Sequence, residues 1–558
     1  MFIHDCLMLI LSIKKNYKSF SVLGLVAWLI YKLYIQPTFS IISRLPGPKP
    51  DNLLFGNLIA TLNSESDLIH EEWHKKYGPV VSYQTFMGDT RLSFCDAKAL
   101  SHVLNNRPYD YPKPGEVKGD TRMILTNGLA FAEGEIHRRQ RRLLNSTFSV
   151  AQVKATTSLI YSKAIELREQ WIKHVEENRG HSSAKQENKA IIDITDAMAR
   201  ASLDIIGQVA FDQDFNTLKS DANHLGKTFS EVFGLGLGTI NSIKLIGFMI
   251  LGKFPNLLKI IDKERYELIK NGLKNVERES QKALEKKKAE MMVEKMAGKD
   301  FIGALVKANL ATEDKNRMSD VEVMGQMTTF LLGGHETTSN AMNWALWLLA
   351  KNQSVQKKLR EEILSAQATH MGEELSIEEL NRLPYLDAVC RECLRLFPPI
   401  SMTIRMAREA DNIPLSAPVR VKNRFGSGTI LMDHIPVEAG QRIIIPISSY
   451  NRSEENFGTD SSKFIPERWL KQESNSKKNS TAWSGLMTFL GGARSCIGYR
   501  LALAEIKILM NVLISGLHFE ERDELGGPEI ERRMALAVRP RIKGFTDGTQ
   551  LPLKVSLV

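Results

Sequence analysis

Cysteine is scarce. Five residues in 558 (Cys6, Cys95, Cys390, Cys393 and Cys496) form an odd and sparse set. That excludes a disulfide framework and points to a reducing compartment. Cys390 and Cys393 make a C-x-x-C, yet no second C-x-x-C or histidine pair stands at zinc-site spacing, and no strand–helix unit of the thioredoxin type frames it. The pair reads as two apolar positions on one helix. Internal repeats and low-complexity runs are absent. So is any basic stretch interleaved with aromatics, which excludes a nucleic-acid groove despite a formal charge of +10. Lysine and arginine are spread along the chain, as on a face that meets an acidic protein or a membrane surface. With 43% hydrophobic and 25% charged residues, disordered and collagen-like classes are out.

Long apolar runs are also missing, except at the start. Phe2 to Ile13 is largely apolar, Lys14, Lys15 and Lys18 interrupt it, and "SFSVLGLVAWLIYKLYI" (19–35) resumes. Seventeen residues of helix reach roughly 25 Å, just short of a hydrocarbon core. Lys32 can snorkel, and Trp28, Tyr31 and Tyr34 suit the interface. No small-x-small cleavage site follows, so residues 1–44 read as a membrane anchor rather than a signal peptide. Basic residues flank both sides and leave its orientation open. "LPGPKP" (45–50) then forms a stiff, extended hinge. No linker divides the rest, and residues 51–558 read as a single body.

Helical patterns dominate that body. Strand-like pieces are few, chiefly 79–86 and 441–448. Lys/Glu-rich stretches at 174–190 and 276–300 read as solvated helix faces or loops. Residues 232–255, apolar and glycine-rich, read either as core or as a mobile, membrane-dipping lid. The longest element spans about 319–351. Ser319 with Glu322 fits a capping box, and apolar residues recur at steps of three and four from Val321 to Leu349. The register passes through "GGHETTS" (333–339), although a Gly-Gly turn with Thr338 capping a second helix is the alternative. Two interior glycines cost about 2 kcal/mol against alanine, which implies backbone room for something lying against the helix. Glu336 and Thr337, an acid beside an alcohol in apolar surroundings, suit proton delivery.

"MTFLGGARSCIGYRLALAE" (487–505) carries the sharpest signal. A thiolate at Cys496 binds soft or borderline metals and needs donors to stay deprotonated. Gly492 and Gly498 let backbone N–H groups approach the sulfur, Arg494 adds positive charge, and a helix from Tyr499 places its positive end beside it. One thiolate with no second protein ligand suits an iron already held by four porphyrin nitrogens.

Phe489, Gly492, Arg494, Cys496 and Gly498 spell F-x-x-G-x-R-x-C-x-G. This resembles the cysteine-loop signature of the cytochrome P-450 haem-thiolate monooxygenases, in a form most similar to fungal microsomal members. The other family marks follow in order over nearly the whole chain. The resemblance implies a mainly α fold with small β-sheets, a long central helix over the haem, and haem b with Cys496 as its axial thiolate. "GGHETT" resembles the oxygen-activating helix, with Glu336 and Thr337 as its acid–alcohol pair. "ECLR" supplies Glu392 and Arg395, and "FIPERW" adds Arg468 to the same charge network. His137 and Arg141 stand where the family usually has W-x-x-x-R. At i and i+4 both reach one haem propionate, and histidine retains an N–H donor. Arg405 falls at a second propionate-binding position, while Phe457 replaces a frequent tryptophan in a packing role.

The implied reaction is oxidation of a C–H bond with O2 and two electrons from NADPH-cytochrome P-450 reductase, with cytochrome b5 a further candidate donor. Arg138 and Arg142 suit docking of that acidic donor, with Lys507 a weaker candidate; the alternative is a solvated basic face. The pocket positions implied by the family (113–129, 232–255, 330–336, 400–404 and 534–537) are mostly apolar. They point to a lipophilic substrate, by analogy a terpenoid of fungal secondary metabolism. The expected location is the endoplasmic reticulum membrane, with the catalytic domain on the cytosolic side. Two rival readings are a reductase-independent haem-thiolate isomerase or dehydratase, and a non-enzymatic haem carrier or sensor. The intact Glu336-Thr337 pair stands against both.

Overall fold

A computed structural model describes residues 39–65, 68–115, 127–178, 189–219, 263–294, 300–371, 373–423, 428–471, 483–522, 529–534, 537–545 and 549–558. The expected anchor span at 19–35 and the segment 232–255 lie outside these residues. Among the described residues no helix is long and apolar enough to cross a membrane.

The helices that frame the centre are α1 (Gly134–Thr147), α2 (Thr157–Asn178), α3 (Ile194–Phe211), α4 (Lys263–Glu294), α5 (Asp320–Lys351), α6 (Gln353–Thr369), α7 (Pro384–Leu396) and α8 (Tyr499–Gly516). The strands are short: β1 (Val80–Gln84), β2 (Thr90–Phe94), β3 (Lys189–Asp193), β4 (Met402–Met406), β5 (Asp411–Lys422), β6 (Thr429–Val437), β7 (Arg442–Pro446), β8 (Leu517–Glu520), β9 (Ile530–Met534), β10 (Val538–Ile542) and β11 (Pro552–Leu557). They make a four-stranded sheet in the order β1-β2-β7-β4, a three-stranded sheet β3-β11-β8, and two ribbons, β5-β6 and β9-β10. Only the β2–β7 pairing is parallel. The mainly helical architecture with small sheets thus matches expectation.

α5 is continuous through both glycines. Ser319 accepts from the Glu322 N–H at 3.3 Å while Glu322 Oε2 accepts from the Ser319 N–H at 2.9 Å, the reciprocal box foreseen from the sequence. The two glycines differ in purpose. A Cβ on Gly334 would fall 2.6 Å from Ile206 Cδ1, so that position lets α3 pack closely. Gly333 faces open space, which matches the room expected for a group against the helix. Further along, Trp344 is fully buried, stacks on Phe397 at 4.2 Å and 10°, and donates from Nε1 to Val538 O at 2.9 Å. That bond ties the β9-β10 ribbon to the helix.

Two sequence expectations need revision. The proline-rich hinge lies on the sheet: Ser82 N–H donates to Pro46 O at 3.0 Å, and a Cβ on Gly47 would meet Ser82 O at 1.7 Å. Glycine is required there for close approach of two backbones. The body therefore begins before residue 51. The β5-β6 ribbon escaped the sequence reading because Pro414 and Pro418 break its alternation; its register shifts between Pro414 and Val419.

Candidate active site

A cavity of about 210 Å³ lies between α5 and the 487–498 loop. Thr337, Thr338 and Ala341 of α5 form one wall, and Phe489, Arg494 and Cys496 another. Ile400 and Thr403, inside the 400–404 segment expected to line the pocket, also border it.

The loop geometry follows from its glycines. Cys496 N–H donates to Phe489 O at 2.8 Å and closes the turn. Gly492 sits at φ +65°, where a Cβ would come within 2.1 Å of Leu104 O, so the loop packs directly on the 102–106 backbone. Cys496 is exposed only in the sense that it opens onto the cavity. Burial pushes its thiol up, while the Gly498 N–H and the Arg141 charge oppose that shift. Of the groups expected near the sulfur, the Gly498 N–H lies against it, whereas Arg494 points elsewhere. Arg494 turns to the Glu133 carboxylate and to Ala132 O at 2.9 Å, and the charge that reaches the thiol is that of Arg141. Gly498 also precedes α8, whose positive end faces the cysteine.

Cys390 and Cys393 are buried on α7, and burial pushes Cys390 up to about 12. The apolar reading of the C-x-x-C holds. Among the described residues no group of three or more His, Cys, Asp or Glu is placed to hold a metal.

Cations collect at one edge of the site. His137 is buried on α1, and burial with the charges of Arg494, Lys113, Arg141 and Arg405 pushes it down to about 3. Arg141, one turn on, donates to Ser495 O at 2.6 Å. Arg405 is 2% exposed and donates to Thr403 Oγ1 and Ile404 O, both at 2.8 Å. It makes no ion pair among the described residues, and burial together with Arg494 lowers it to about 10. Glu133 is the carboxylate at this edge, and it is taken by Arg494. Buried guanidinium groups in such excess need anions. A haem b, with two propionates, a flat apolar body and an iron suited to thiolate, fits this donor set and cavity. Tyr109, which the sequence reading missed, completes the cluster: its hydroxyl lies 3.1 Å from His137 Nδ1, and the Arg138 and Arg494 guanidiniums lie over its ring at 4.1 and 5.0 Å.

On α5 the expected pair divides. Thr337 lines the cavity and donates from Oγ1 to Gly333 O at 2.5 Å. Glu336 is buried and held by Arg539 of β10, whose Nε and Nη2 donate to its two oxygens at 2.7 Å each. Asn340 adds a donor at 3.2 Å. Glu336 is thus a clamped carboxylate. Arg539 gave no sequence signal, lying 203 residues away within an arginine-rich strand pair.

The Glu392–Arg395–Arg468 network is present in full. Arg395 donates from Nε and Nη2 to the two oxygens of Glu392 at 2.8 Å, and both residues are wholly buried. Arg468 Nε donates to Glu392 Oε1 at 2.9 Å, and Trp469 Nε1, a member not foreseen, donates to Oε2 at 2.9 Å. Lys507 corrects another expectation. It is buried and donates to Asp387 at 2.8 Å and Asn381 at 2.9 Å, so it offers no docking charge. Arg142 is exposed; Arg138 is also exposed but already paired with Glu135.

Comparison with known proteins agrees with this geometry. Residues 46–544 match the cytochrome P450 family. The chain is 35% identical to cytochrome P450 monooxygenase 128 of Postia placenta over 95% of this chain and 96% of the relative. It is 33% identical to cytochrome P450 monooxygenase claP of Ampulloclitocybe clavipes (96% and 99%). A third relative, ganoderic acid synthetase CYP5150L8 of Ganoderma lucidum, is 30% identical (89% and 90%). The chain belongs to the cytochrome P450 family of haem-thiolate monooxygenases.

Proposed function

We propose that this monooxygenase oxidises a lipophilic small molecule, of terpenoid type, in secondary metabolism, with Cys496 as its iron ligand. The observation that carries the ligand assignment is a single cysteine opening onto an apolar cavity that Thr337 also lines, beside an edge where cations outnumber carboxylates. When bound, the haem supplies O2 activation at iron, tuned by the thiolate. The chain's own residues do the rest. Arg141, Arg405 and His137 hold the propionates, and the apolar walls exclude water and orient the substrate. The Gly498 N–H and the Arg141 charge favour thiolate over thiol. Thr337 holds a proton at the cavity wall. Glu336 serves as the acid behind it only when its bond to Arg539 opens. Gly492 and Phe489 shape the loop, and Glu392, Arg395 and Arg468 brace it from α7.

The same reading places residues 1–44 as an anchor in the endoplasmic reticulum membrane, with the catalytic domain cytosolic. NADPH-cytochrome P-450 reductase supplies the electrons, cytochrome b5 a second route, and Arg142 with Arg138 the basic docking face. Exposed Phe39, just after the apolar run 19–35, and exposed Leu53 and Leu54 support a membrane-facing edge.

The test is the difference spectrum of the dithionite-reduced protein with carbon monoxide. A Soret band red-shifted to the thiolate position is expected, and Cys496→Ala is expected to abolish it. A normal band from that variant would overturn the ligand assignment. Reductase-dependent NADPH consumption that rises with terpenoid substrate tests the rest.

A further inference from the structure

We infer that Tyr109 donates its hydroxyl proton to His137 Nδ1 and thereby fixes the imidazole tautomer that presents Nε2–H to a haem carboxylate. The inference rests on the reading of His137 as a propionate donor.

The need for it comes from chemistry. At this position the resemblance expects tryptophan, whose indole nitrogen is a donor and nothing else. A neutral histidine is a donor at one nitrogen and an acceptor at the other, so it replaces tryptophan only in one tautomer. Burial and four neighbouring cations push the His137 imidazole down to about 3, which favours the neutral ring and so leaves the choice of tautomer to be made. With Nδ1–H the ring would aim a bare lone pair at the anion and repel it. With Nε2–H it would bind.

The geometry points to the second state. Tyr109 Oη lies 3.1 Å from Nδ1, with the two rings edge to face at 5.8 Å and 63°. Among the described residues Nε2 has no partner, and the Tyr109 hydroxyl has no other. If Nδ1 carried the proton, Tyr109 would accept instead of donate, and Nε2 would meet the cofactor's anion as a bare acceptor. The guanidiniums of Arg138 and Arg494 over the tyrosine ring hold it in place and draw density from the phenol, which sharpens O–H donation. Tyr109 is a positioning residue: it acts on the cofactor through His137.

The experiment measures haem loss from the full-length holoenzyme to an excess of an apoglobin acceptor, comparing wild type, Tyr109→Phe, His137→Trp, the double variant and His137→Ala. Tyr109→Phe is expected to speed haem loss about five- to tenfold, the loss of one hydrogen bond's selectivity. In the His137→Trp background the same change is expected to alter the rate less than about twofold, since an indole has no tautomer to fix. Equal acceleration in both backgrounds would overturn the inference and leave tyrosine as packing for the arginines. Haem loss unchanged in His137→Ala would instead overturn the propionate reading beneath it. Nitrogen NMR of 15N-histidine holoenzyme, with the His137 signal identified by its loss in His137→Gln, reads the tautomer without requiring tryptophan to fit. A proton on Nε2 that becomes mixed in Tyr109→Phe is expected, and a proton on Nδ1 refutes it.

Discussion

Replacing Glu392 by glutamine tests whether the buried charge network holds α7 to the 460–469 segment. The carboxylate accepts five donors. Oε1 takes Arg395 Nη2, Arg468 Nε and the Ile465 N–H, and Oε2 takes Arg395 Nε and Trp469 Nε1. Glutamine keeps the shape but turns one oxygen into a donor. With its NH2 at the Oε1 position it faces three donors, and at the Oε2 position it faces two. The second orientation is the better one, and it still leaves two donors, Arg395 Nε and Trp469 Nε1, unsatisfied and the buried Arg395 short of its counter-charge, while Arg468 keeps Asp460 at 3.0 Å. That loss comes to about 3–5 kcal/mol, the range for breaking a buried ion pair. The chain supplies its own control. Glu135 and Arg138 repeat the same E-x-x-R spacing on α1, with side chains 82% and 49% exposed. Large haem proteins unfold irreversibly, so the assay is the rate of unfolding at fixed denaturant, followed by Soret absorbance and tryptophan fluorescence. Glu392→Gln is expected to unfold about two to three orders of magnitude faster if the network is broken in the transition state, and Glu135→Gln less than about threefold faster. Equal rates for the two variants would refute the reasoning, because burial would then have added nothing to an identical motif.

Arg539→Gln strands the buried Glu336 carboxylate and is expected to destabilise the protein by about 3–5 kcal/mol. Arg539→Lys, with charge but no two-pronged bond, should recover part of that in denaturant unfolding. Thr337→Ala should retain haem yet divert electrons to hydrogen peroxide, lowering the ratio of product to NADPH consumed several-fold; an unchanged ratio would remove Thr337 from the proton path. Burial pushes Glu505 up to about 8, against an ordinary value of 4.5, with Ser202 donating to it at 2.6 Å. The folded state therefore holds a proton that the unfolded state releases. Its stabilising effect is complete below pH 4.5 and is lost as pH rises through 8. Glu505→Gln, which keeps an acceptor for Ser202, should flatten stability against pH over that window. Unfolding profiles that stay parallel would contradict the assignment.

What the sequence made legible is what local spacing decides. The Ser319–Glu322 box and the apolar register of α5 were both readable, because a helix places residues three and four apart on one face. The cysteine loop was readable for a similar reason, since Gly492 and Gly498 sit within a few residues of the sulfur they serve or shape. Lys507 shows the limit. As a lysine on a strongly apolar helix it read as surface charge, and only the folding of Asp387 and Asn381 against it makes it a buried structural cation. Arg539 and Tyr109 are further cases. Each acts on a helix residue through a contact set by the tertiary fold, 203 and 28 residues distant, with no pattern in its own neighbourhood.

The same distinction explains how charge is shared around the sulfur. From the sequence, Arg494 is the natural partner of Cys496, two residues away. In the fold, a buried arginine goes to the carboxylate that satisfies it best, and Glu133 supplies one at the start of α1. Arg141, two turns further along that helix, is then left to face the thiol and the Ser495 carbonyl. Arg405, which feels the Glu133 charge but hydrogen-bonds no carboxylate among the described residues, is left with a neutral hydroxyl and a carbonyl. One acidic residue thus settles the role of three arginines: it fixes Arg494 structurally and leaves Arg141 and Arg405 short of negative charge at the cavity edge. A buried and a half-buried guanidinium in that state are costly for the protein alone and favourable once a dianionic cofactor is in place. The folding of this edge and the holding of haem are therefore one electrostatic problem, solved by what Glu133 withholds as much as by what the arginines offer.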